Sequence, residues 1–277
     1  MNRPAAPRLR TAVLTGATSG IGEATARGLA GRVDHLVLLG PEAAGAVTGV
    51  LEGIRAAGAA RLTYLTADFT LLDEVVAVAG EVRELGERID LLVNNAGVPG
   101  AARRILTADG FERTLQVNAL APALLTRLLV PVLADGARIV NVGSSAHRLG
   151  RFDASDPDLS EGYSPLAAYC RAKLAMVTWS VLLADELGPG ATVVALCPGL
   201  NATGLSAAMN GPAGAPPSHG GARVLHAATA DAPTGSYLEG DRVVDPSPEA
   251  ADPSNRRSLV ALYTARLAPF AARAGAR

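Results

Sequence analysis

The sequence predicts an α/β fold in which a doubly wound parallel sheet is covered by helices on both faces. Short apolar runs alternate with longer stretches of helical periodicity from the N-terminal region to about residue 200. The short runs are rich in Val, Ile and Leu without alternating polar residues, which is typical of strands buried on both faces. Because we see no internal repeat and no linker, residues 1–277 are expected to form a single domain.

Six strands are predicted, at residues 11–14, 35–39, 62–65, 89–93, 138–142 and 192–196. The helices predicted between and after them are an Ala-rich stretch ending near Ala30 and residues 43–57, 71–85, 109–133 and 166–187. Residues 210–221 are rich in Gly, Pro and Ser and are expected to form a mobile loop. They belong to a longer segment, residues 200–221, that is expected to act as a substrate loop or lid.

The composition is that of a globular protein without a polyanionic partner. Hydrophobic residues make up 49% of the chain and charged residues 18%, which is enough apolar material for a sizeable core. The formal net charge is −1 and the 25 Lys and Arg residues are scattered, so no nucleic acid partner is expected. The two cysteines, Cys170 and Cys197, are too few for a disulfide framework or a four-ligand zinc site, and we predict no metal site.

The sequence does not predict secretion or a membrane span. Residues 1–10 are charged and contain no long apolar segment of the kind found in signal peptides. The most apolar run, residues 115–133, is interrupted by Asn118, Pro122 and Arg127 and does not reach the ~18–20 apolar residues that a span needs. A cytoplasmic location is therefore expected.

A Gly-rich turn follows the first predicted strand and opens the first predicted helix. Residues 15–22 read Thr-Gly-Ala-Thr-Ser-Gly-Ile-Gly, and Thr25 stands where the third glycine of a G-x-G-x-x-G pattern would be. Glycines allow a tight turn and close backbone approach, and the helix N-terminus offers free N–H groups to a pyrophosphate. A plain Gly-rich turn is the alternative, but the position between strand and helix favours nucleotide binding.

Tyr169 and Lys173 form the most informative pair in the chain. Both lie in the predicted helix 166–187, and residues four apart lie on one helical face. A phenol has a reference pKa of about 10, and a nearby cation lowers that pKa, which suits the phenol to general acid–base catalysis. Alone, the spacing is more typical of a surface Tyr beside a solvated Lys. Tyr163 has Ala167 at the same spacing and so lacks a Lys partner.

Further motifs accompany this pair in a characteristic order. They are the Gly-rich turn, Asn94-Asn95-Ala96-Gly97, Asn118, Ser144-Ser145 and Pro198-Gly199. Over nearly its whole length the chain resembles the short-chain dehydrogenase/reductase family, and residues 109–112, 144–150 and 235–238 resemble its retinol-dehydrogenase-like branch. The resemblance implies a Rossmann-like fold, a nicotinamide cofactor and an oxidoreductase.

The resemblance assigns catalytic roles to Asn118, Ser145, Tyr169 and Lys173. Tyr169 is expected to pass a proton to or from the substrate oxygen, and Lys173 to lower the pKa of that phenol and hold the nicotinamide ribose. Ser145 is expected to hydrogen-bond the substrate oxygen, leaving Ser144 as a packing residue. Asn118 is expected to support a water chain from Lys173 to solvent.

The resemblance also implies where the cofactor binds. The expected binding residues are Gly16, Thr18, Ser19, Gly20, Ile21 and Gly22 in the Gly-rich turn, Asp68 and Phe69 after the third strand, Asn94, Ala96 and Gly97 after the fourth, the pair Tyr169 and Lys173, and Pro198, Gly199 and Thr203 after the sixth. Asp68 is expected near the adenine and Thr203 near the nicotinamide carboxamide. The alternatives are that Asp68 caps a turn and that Pro198-Gly199 only ends a strand.

The choice between NADP and NAD stays open at the sequence level. NAD enzymes tend to carry an acid at the end of the second strand, and NADP enzymes a base. This chain has Gly40, Pro41 and Glu42 there. The resembling branch favours NADP and these residues favour NAD, with Glu42 either contacting the ribose 2′-hydroxyl or serving as a first-turn acid of the next helix.

The expected activity is the interconversion of a hydrophobic ketone or aldehyde and the corresponding alcohol by hydride transfer. That small molecule is the expected partner, and its candidate apolar lining is Leu149, Phe152, Leu205 and Met209. A homodimer or homotetramer is implied by the resemblance, with the predicted helices 109–133 and 166–187 pairing between subunits. Trp179, on the second of them, is expected in the core or in that interface.

Two other classes of function stay open. A non-redox family member, such as a cyclase, dehydratase or epimerase, would use the same pocket. A cofactor-bound regulator would bind without turnover, although such proteins often lack a catalytic residue and none is missing here. A serine hydrolase based on Ser145 and His147 is disfavoured because no G-x-S-x-G elbow surrounds the serine.

Overall fold

The computed structural model describes residues 9–211 and 213–275, in which eight strands form one sheet. The strands are β1 Leu9–Thr15, β2 Val33–Gly40, β3 Arg61–Thr66, β4 Ile89–Asn94, β5 Leu133–Val142, β6 Ala191–Cys197, β7 Ser236–Glu239 and β8 Arg242–Val244. Their order is β3-β2-β1-β4-β5-β6-β7-β8, and only the last pair is antiparallel. The strand order reverses between β1 and β4, and ligands of such sheets bind at the carboxyl ends beside this reversal.

The helices of the described residues lie between and after these strands. They are α1 Gly20–Leu29, α2 Thr48–Ala56, α3 Leu72–Glu84, α4 Arg113–Leu115, α5 Ala121–Leu129, α6 Pro165–Leu187, α7 Gly204–Asn210, α8 Pro217–Thr229, α9 Pro248–Ala251 and α10 Pro253–Gly275. A π-helical turn, Gln116–Leu120, joins α4 to α5, and a 3-10 turn, Ser145–Leu149, follows β5.

The predicted doubly wound parallel sheet is confirmed. Each of the six predicted strands lies within one of β1 to β6. The structure adds β7, β8 and the helices after β6, which we did not predict, because strands of four and three residues are too short to display a period. The expectation that residues 1–10 lack a signal peptide falls mostly on residues outside the described part.

The predicted helix 109–133 begins later than its apolar pattern suggests. Gly110 has a φ of +83°, which is outside the helical region. Glu112 is the N-cap residue, because its carboxylate accepts hydrogen bonds from the backbone N–H groups of Thr114 at 2.9 Å and Leu115 at 2.7 Å. The helix therefore starts at Arg113, after a buried acid that satisfies its first free donors.

Two layers of helices cover the sheet, one on each face. Because successive strand residues point to opposite faces, Val13 packs on the side of α3, α5, α6 and α10, whereas Leu14 packs on the side of α1, α2 and α8. Both side chains are fully buried. These uninterrupted apolar strands, covered on both sides, hold their carboxyl ends at one rigid edge.

The C-terminal helix α10 packs across α3, α5 and α6. Tyr263 of α10 lies beside Trp179 of α6, with ring centroids 6.4 Å apart, and both side chains are buried. Trp179 is therefore a core residue of this chain, one of the two settings expected for it. Pairing of subunits through α5 and α6 would need a surface that α10 partly occupies.

Two helical stretches, Arg113–Val132 and Pro165–Gly190, are long and apolar enough to cross a membrane by length and composition. We predicted no span because polar residues interrupt the apolar runs; these helices continue through such residues, and the absence of a membrane span stays a prediction. In their most apolar windows 72% and 78% of the residues are buried inside the fold. Core helices pass the same test, so this is weak evidence for a span.

Candidate active site

One cleft opens at the carboxyl edge of the sheet, and its volume is about 710 Å³. This size lies within the range of small-molecule sites. The lining residues come from the Gly-rich turn, the ends of β2 to β6 and the segment after β6. Those predicted from the sequence are Gly16, Thr18, Ser19, Gly20, Ile21, Gly22, Asp68, Phe69, Ala96, Gly97, Ser145, Tyr169, Lys173, Pro198, Gly199 and Thr203.

The Gly-rich turn presents bare backbone to the cleft. Gly16 has a φ of +64°, and a Cβ there would lie 2.7 Å from the Ala96 Cα. A Cβ on Gly22 would lie 1.9 Å from the Gly16 carbonyl oxygen. Ser19, the N-cap residue of α1, makes no side-chain capping bond, so the first N–H groups of α1 remain available to an anionic ligand.

Replacing Gly22 by Ala is expected to destabilise the fold by about 1–3 kcal/mol, because the added methyl overlaps the Gly16 carbonyl. Urea unfolding of the two proteins measures this difference. Gly80→Ala in α3 is the matched control: no atom lies within 4 Å of its added Cβ, and we expect a gain of about 0.5–1 kcal/mol. Equal stability of the Gly22→Ala variant and the wild type would contradict the close packing of the turn.

Glu42 is held against the Gly-rich turn at the end of β2. The Thr18 hydroxyl donates to its carboxylate at 2.9 Å. The Tyr64 phenol donates to the Glu42 carbonyl at 2.7 Å, and partial burial raises the pKa of Tyr64 to about 12. A Cβ on Gly40 would lie 2.8 Å from the Tyr64 oxygen, so this position has no room for a side chain. The carboxylate of Glu42 is thereby placed in the cleft wall.

One residue predicted to bind the cofactor, Asn94, is the last residue of β4 and is directed away from the cleft. Asn94 does not line the cleft: its side chain is buried and its amide donates to Thr126 Oγ1 at 2.9 Å and to Asn141 Oδ1 at 2.8 Å. Asn95 lines the cleft instead, and its amide donates to the carbonyl oxygens of Thr15 at 3.0 Å and Gly16 at 3.1 Å. Adjacent residues at a strand end point in opposite directions, so only one of the two faces the cleft.

Asn118 lies behind the cleft in the π-helical turn and is fully buried. Its carboxamide oxygen accepts from the Val98 backbone N–H at 2.7 Å, and its amide donates to the Val98 carbonyl at 2.9 Å. A Cβ on Gly97 would lie 3.3 Å from the Asn118 Oδ1 and 3.7 Å from the Lys173 Nζ. The Asn118 side chain therefore fixes the backbone at Gly97 and Val98, which passes between Asn118 and Lys173.

Lys173 is buried, and its ammonium donates to the Val142 carbonyl at 2.7 Å. Burial lowers the pKa of Lys173 to about 8. The Nζ lies 5.7 Å from the centroid of the Tyr169 ring. The helical spacing of the two residues does bring ammonium and phenol to the same cleft.

The expectation that Lys173 lowers the pKa of Tyr169 is wrong in this structure. Burial raises the pKa of Tyr169 to about 12, opposed by a hydrogen bond with Ser144. The physical reason is that the phenol is surrounded by protein, while the ammonium is directed to a backbone carbonyl. At neutral pH Tyr169 is therefore a phenol with a proton to donate.

The structure also corrects the assignment of the serine pair. Ser144 is half-buried beside Tyr169 and hydrogen-bonds its phenol, whereas Ser145 is exposed and begins the 3-10 turn. Ser144 Oγ additionally accepts from the Ala146 backbone N–H at 3.1 Å. Ser144 is thus not merely a packing residue, and it is the serine whose hydroxyl shares a site with Tyr169.

Two parts of the segment 200–221 are helical, namely residues 204–210 and 217–221. They are α7 and the first turns of α8, and Thr203 caps α7 by accepting from the Ser206 N–H at 3.2 Å. Asn201, which we did not single out, is buried and ties the segment down. Its amide donates to the carbonyls of Pro198 and Gly199, and its Oδ1 accepts from the Gly220 N–H at 2.8 Å. Helices α7 and α8 flank residues 211 and 213–216, which are not helical, and the mobile loop at residues 210–221 and the lid role of residues 200–221 stay predictions.

Several exposed leucines rim the cleft. Leu149 is 69% exposed, Leu166 54% and Leu200 52%, and all three line the opening. Leu205 and Met209, two of the predicted lining residues, lie there too. Phe152 does not: it packs beneath α6 and α10, against Leu174 and Leu259. The opening of the cleft is therefore apolar.

Few charged side chains line the cleft, and the acidic and basic ones lie at opposite ends. Among the residues of the described chain that line it, Lys173 is the only cation, and Glu42 and Asp68 are the only acids. Asp68 Oδ1 accepts from the Thr70 N–H at 2.8 Å, an Asx-type turn that fits the capping role considered for it. The acids lie at the β2 and β3 end of the cleft and the cation at the α6 end.

The sequence model for short chain dehydrogenase matches residues 10–212. The chain belongs to the short chain dehydrogenase family. A polyprenol dehydrogenase from Mus musculus is 41% identical over 181 residues, covering 63% of this chain and 53% of the relative. Retinol dehydrogenase 13 from Mus musculus is 34% identical over 278 residues, covering 90% and 81%. These relatives support the retinol-dehydrogenase-like branch.

Solved structures agree with this assignment. A crystal structure of an uncharacterised protein from Mycobacterium Paratuberculosis superposes with a TM-score of 0.78 at 32% identity, covering 94% of each chain. A short chain dehydrogenase from Burkholderia cenocepacia J2315, crystallised in complex with NADP, has a TM-score of 0.68 at 27% identity, covering 85% of this chain and 97% of that one. The chain spans 52% to 60% of the length of the first four curated relatives.

Proposed function

We propose that this protein is an NAD(P)-dependent oxidoreductase that interconverts a hydrophobic ketone or aldehyde and its alcohol. The observation that carries the proposal is that Ser144, Tyr169 and Lys173 converge at one end of a cleft whose other end is a bare Gly-rich turn. Names of the relatives, among them dehydrogenases of polyprenol and retinol, support redox chemistry on apolar compounds.

The residues present fit a dinucleotide. The N–H groups at the start of α1, which no Ser19 side-chain cap occupies, would bind the pyrophosphate. When bound, the nicotinamide supplies or accepts a hydride at the substrate carbon. Lys173 would hold the ribose next to it, at the α6 end of the cleft.

The protein side chains handle the oxygen and the proton. In carbonyl reduction Ser144 would hydrogen-bond the substrate oxygen, where negative charge develops. Tyr169 would donate its phenolic proton to the same oxygen, and the raised pKa keeps that proton in place at neutral pH. Addition of the hydride to the carbonyl carbon and of the proton to the carbonyl oxygen gives the alcohol. In alcohol oxidation both transfers run in reverse.

The apolar rim supports an extended apolar substrate. Leu149, Leu166 and Leu200 expose apolar surface around the opening without a partner in the described residues that would cover it. A substrate whose hydrocarbon part lies along these leucines would remove that surface from water, at about 25 cal/mol per Å² buried. Small polar carbonyl compounds would bury little of this apolar surface and would gain no binding free energy from it.

We infer further that NAD is preferred to NADP, because the adenosine end of the cleft carries negative charge. A 2′-phosphate beside the second strand would meet the Glu42 carboxylate and no cation from the described residues. A ribose 2′-hydroxyl, in contrast, can donate to that carboxylate. The NADP bound by the Burkholderia cenocepacia relative belongs to a protein only 27% identical.

Titration with NADH and NADPH, followed by nicotinamide fluorescence, tests this preference. We expect NADH to bind at least about tenfold more tightly, which corresponds to about 1.4 kcal/mol. Glu42→Gln should reduce the ratio of the two dissociation constants, because NADH loses a hydrogen-bond acceptor and NADPH loses an electrostatic repulsion. Glu52→Gln, on the exposed side of α2, should change neither dissociation constant. Tighter NADPH binding by the wild type would overturn the inference, and binding of neither would overturn the proposed function.

The two other classes of function predict different behaviour in one assay. A redox enzyme changes nicotinamide absorbance in a substrate-dependent manner, whereas a cyclase, dehydratase or epimerase converts its substrate without that change. A regulator binds cofactor and converts nothing. The intact Ser144, Tyr169 and Lys173 favour redox turnover. The cytoplasmic location and the homodimer or homotetramer stay predictions.

A further inference from the structure

His147 lies three residues after Ser144 and is fully buried, and the mechanism above does not use it. Its Nδ1 lies 2.7 Å from the carbonyl oxygen of Ser144. Its Nε2 lies 3.0 Å from the backbone nitrogen of Ser247, which is 100 residues further along the chain. The imidazole therefore bridges the serine of the cleft and a distant segment.

The two partners of the ring determine its protonation state. A carbonyl oxygen can only accept, so the Nδ1 at Ser144 carries a hydrogen. A backbone N–H can only donate, so the Nε2 at Ser247 is an unprotonated acceptor. The bridge thus requires the neutral imidazole with its proton on Nδ1, since an imidazolium would place an N–H against the N–H of Ser247.

The segment on the far side of the bridge comprises residues 236–251, that is, β7, β8 and α9, which we call the C-terminal clamp. It lies outside the region matched by the family, residues 10–212. Arg148, the neighbour of His147, donates to Glu239 at 3.1 Å and to the Asp245 carbonyl at 2.8 Å. Ser247 is buried and caps α9. The 3-10 turn after Ser144 is therefore joined to the clamp at three points.

The clamp also contacts the residues that flank Ser144. The Tyr237 ring of β7 meets the His147 ring edge-on, with centroids 4.7 Å apart, and both side chains are buried. A Cβ on Gly143, the residue before Ser144, would lie 3.8 Å from the same Tyr237 ring. Tyr237 of the clamp thus lies beside both Gly143, which precedes Ser144, and the His147 ring, which follows it.

We propose that His147 is a positioning residue that, as a neutral imidazole, couples the C-terminal clamp to Ser144 and so sets the hydroxyl of Ser144 against Tyr169. This inference rests on the proposed function. Residues that orient a reacting group matter because a displacement of about 1 Å can cost on the order of 100-fold in rate.

Acid should break the bridge. Burial lowers the pKa of His147, so folding favours the neutral ring, and the stability it contributes is present above the unfolded pKa of about 6.5 and is lost as the pH falls through the folded value. The groups that face the ring are Arg148 on its own turn, Glu239 and Tyr237 on β7, Ser247 at the start of α9, and Ser144, which in turn binds Tyr169 of α6. Arg148 opposes protonation and Glu239 favours it.

Three variants separate the two hydrogen bonds of the bridge. His147→Asn keeps a donor near the Nδ1 position, and His147→Gln keeps an acceptor near the Nε2 position, while His147→Phe keeps the ring and loses both. For each variant we would measure the exchange rate of the Ser247 amide hydrogen, NADH binding, and kcat and KM for the reduction of decanal by NADH. Thermal unfolding between pH 7 and pH 5 completes the set.

We expect the Ser247 amide to exchange at least about tenfold faster in His147→Phe and His147→Asn than in wild type, with protection retained in His147→Gln. kcat should fall by about 10-fold to 100-fold in His147→Phe with NADH binding unchanged. The wild-type Tm should drop between pH 7 and pH 5 by more than that of His147→Gln.

Wild-type exchange at Ser247 together with wild-type kcat in His147→Phe would overturn the proposal. So would equal losses of kcat and NADH binding in every variant, which indicate general damage to the fold. A wild-type protein that binds NADH but reduces no carbonyl compound contradicts the proposed function instead, and the Ser247 exchange rates still decide whether the bridge exists.

Discussion

Tyr169→Phe is expected to lower the rate of carbonyl reduction by about 1,000-fold, within the range of about 10²–10⁴ typical of a lost general acid. The phenol is buried at the cleft, it is hydrogen-bonded to Ser144, and burial raises its pKa to about 12, so it holds the proton that reduction consumes. Phenylalanine fills the same space and has no proton to give. NADH binding should survive, because the ring and Lys173 remain.

Tyr163→Phe is the matched control for this experiment. The Tyr163 hydroxyl donates to the Ala101 carbonyl at 2.9 Å, and the residue does not line the cleft. Its loss should leave kcat within about twofold of wild type. Steady-state kinetics with decanal and NADH compares the three proteins, and substantial activity in Tyr169→Phe would exclude Tyr169 as the acid–base group.

Ser144→Ala is expected to lower kcat by about 100-fold to 1,000-fold, the usual cost of removing one donor to a developing oxyanion. The hydroxyl that contacts Tyr169 belongs to Ser144, so the substrate oxygen that receives the phenolic proton would also lie within its reach. Because Ser144 Oγ accepts from the Ala146 N–H, a small loss of stability should accompany the loss of rate.

Ser145→Ala decides between the neighbouring serines. Ser145 is exposed at the start of the 3-10 turn, and its removal should leave kcat within about twofold of wild type. Thermal unfolding of both variants separates damage to the fold from loss of chemistry. A severe loss in Ser145→Ala with near-normal kinetics in Ser144→Ala would restore the assignment made from the sequence.

The errors in the predicted site share one physical origin. Both pairs lie where a parallel strand ends: Asn94 is the last residue of β4 and Asn95 follows it, whereas Ser144 and Ser145 come just after β5. A sequence pattern identifies each pair, but which asparagine lines the cleft and which serine lies beside Tyr169 depend on where the strand ends and how the loop turns. Asn94 turns to Thr126 and Asn141 in the core, which no local pattern predicts.

The direction of the Tyr169 pKa shift could not be predicted from the spacing of Tyr169 and Lys173 either. The interval between Tyr169 and Lys173 correctly placed phenol and ammonium at one cleft. The direction of the pKa shift depends on burial and on the partner of each group, namely Val142 for the ammonium and Ser144 for the phenol. Both partners come from β5 and the residues just after it, whose approach to α6 is a property of the folded chain.

Sequence patterns were sufficient to predict the parallel sheet, the position of the Gly-rich turn and the Tyr169–Lys173 pair, because strand burial, turn chemistry and helical spacing are local properties of the chain. The folded chain was needed to show that Asn95 lines the cleft, that Ser144 lies beside Tyr169, that Glu42 accepts from Thr18 and that His147 accepts from Ser247. These contacts join segments that are distant in sequence or depend on a one-residue register. Their geometry exists only once the sheet has brought its strand ends together.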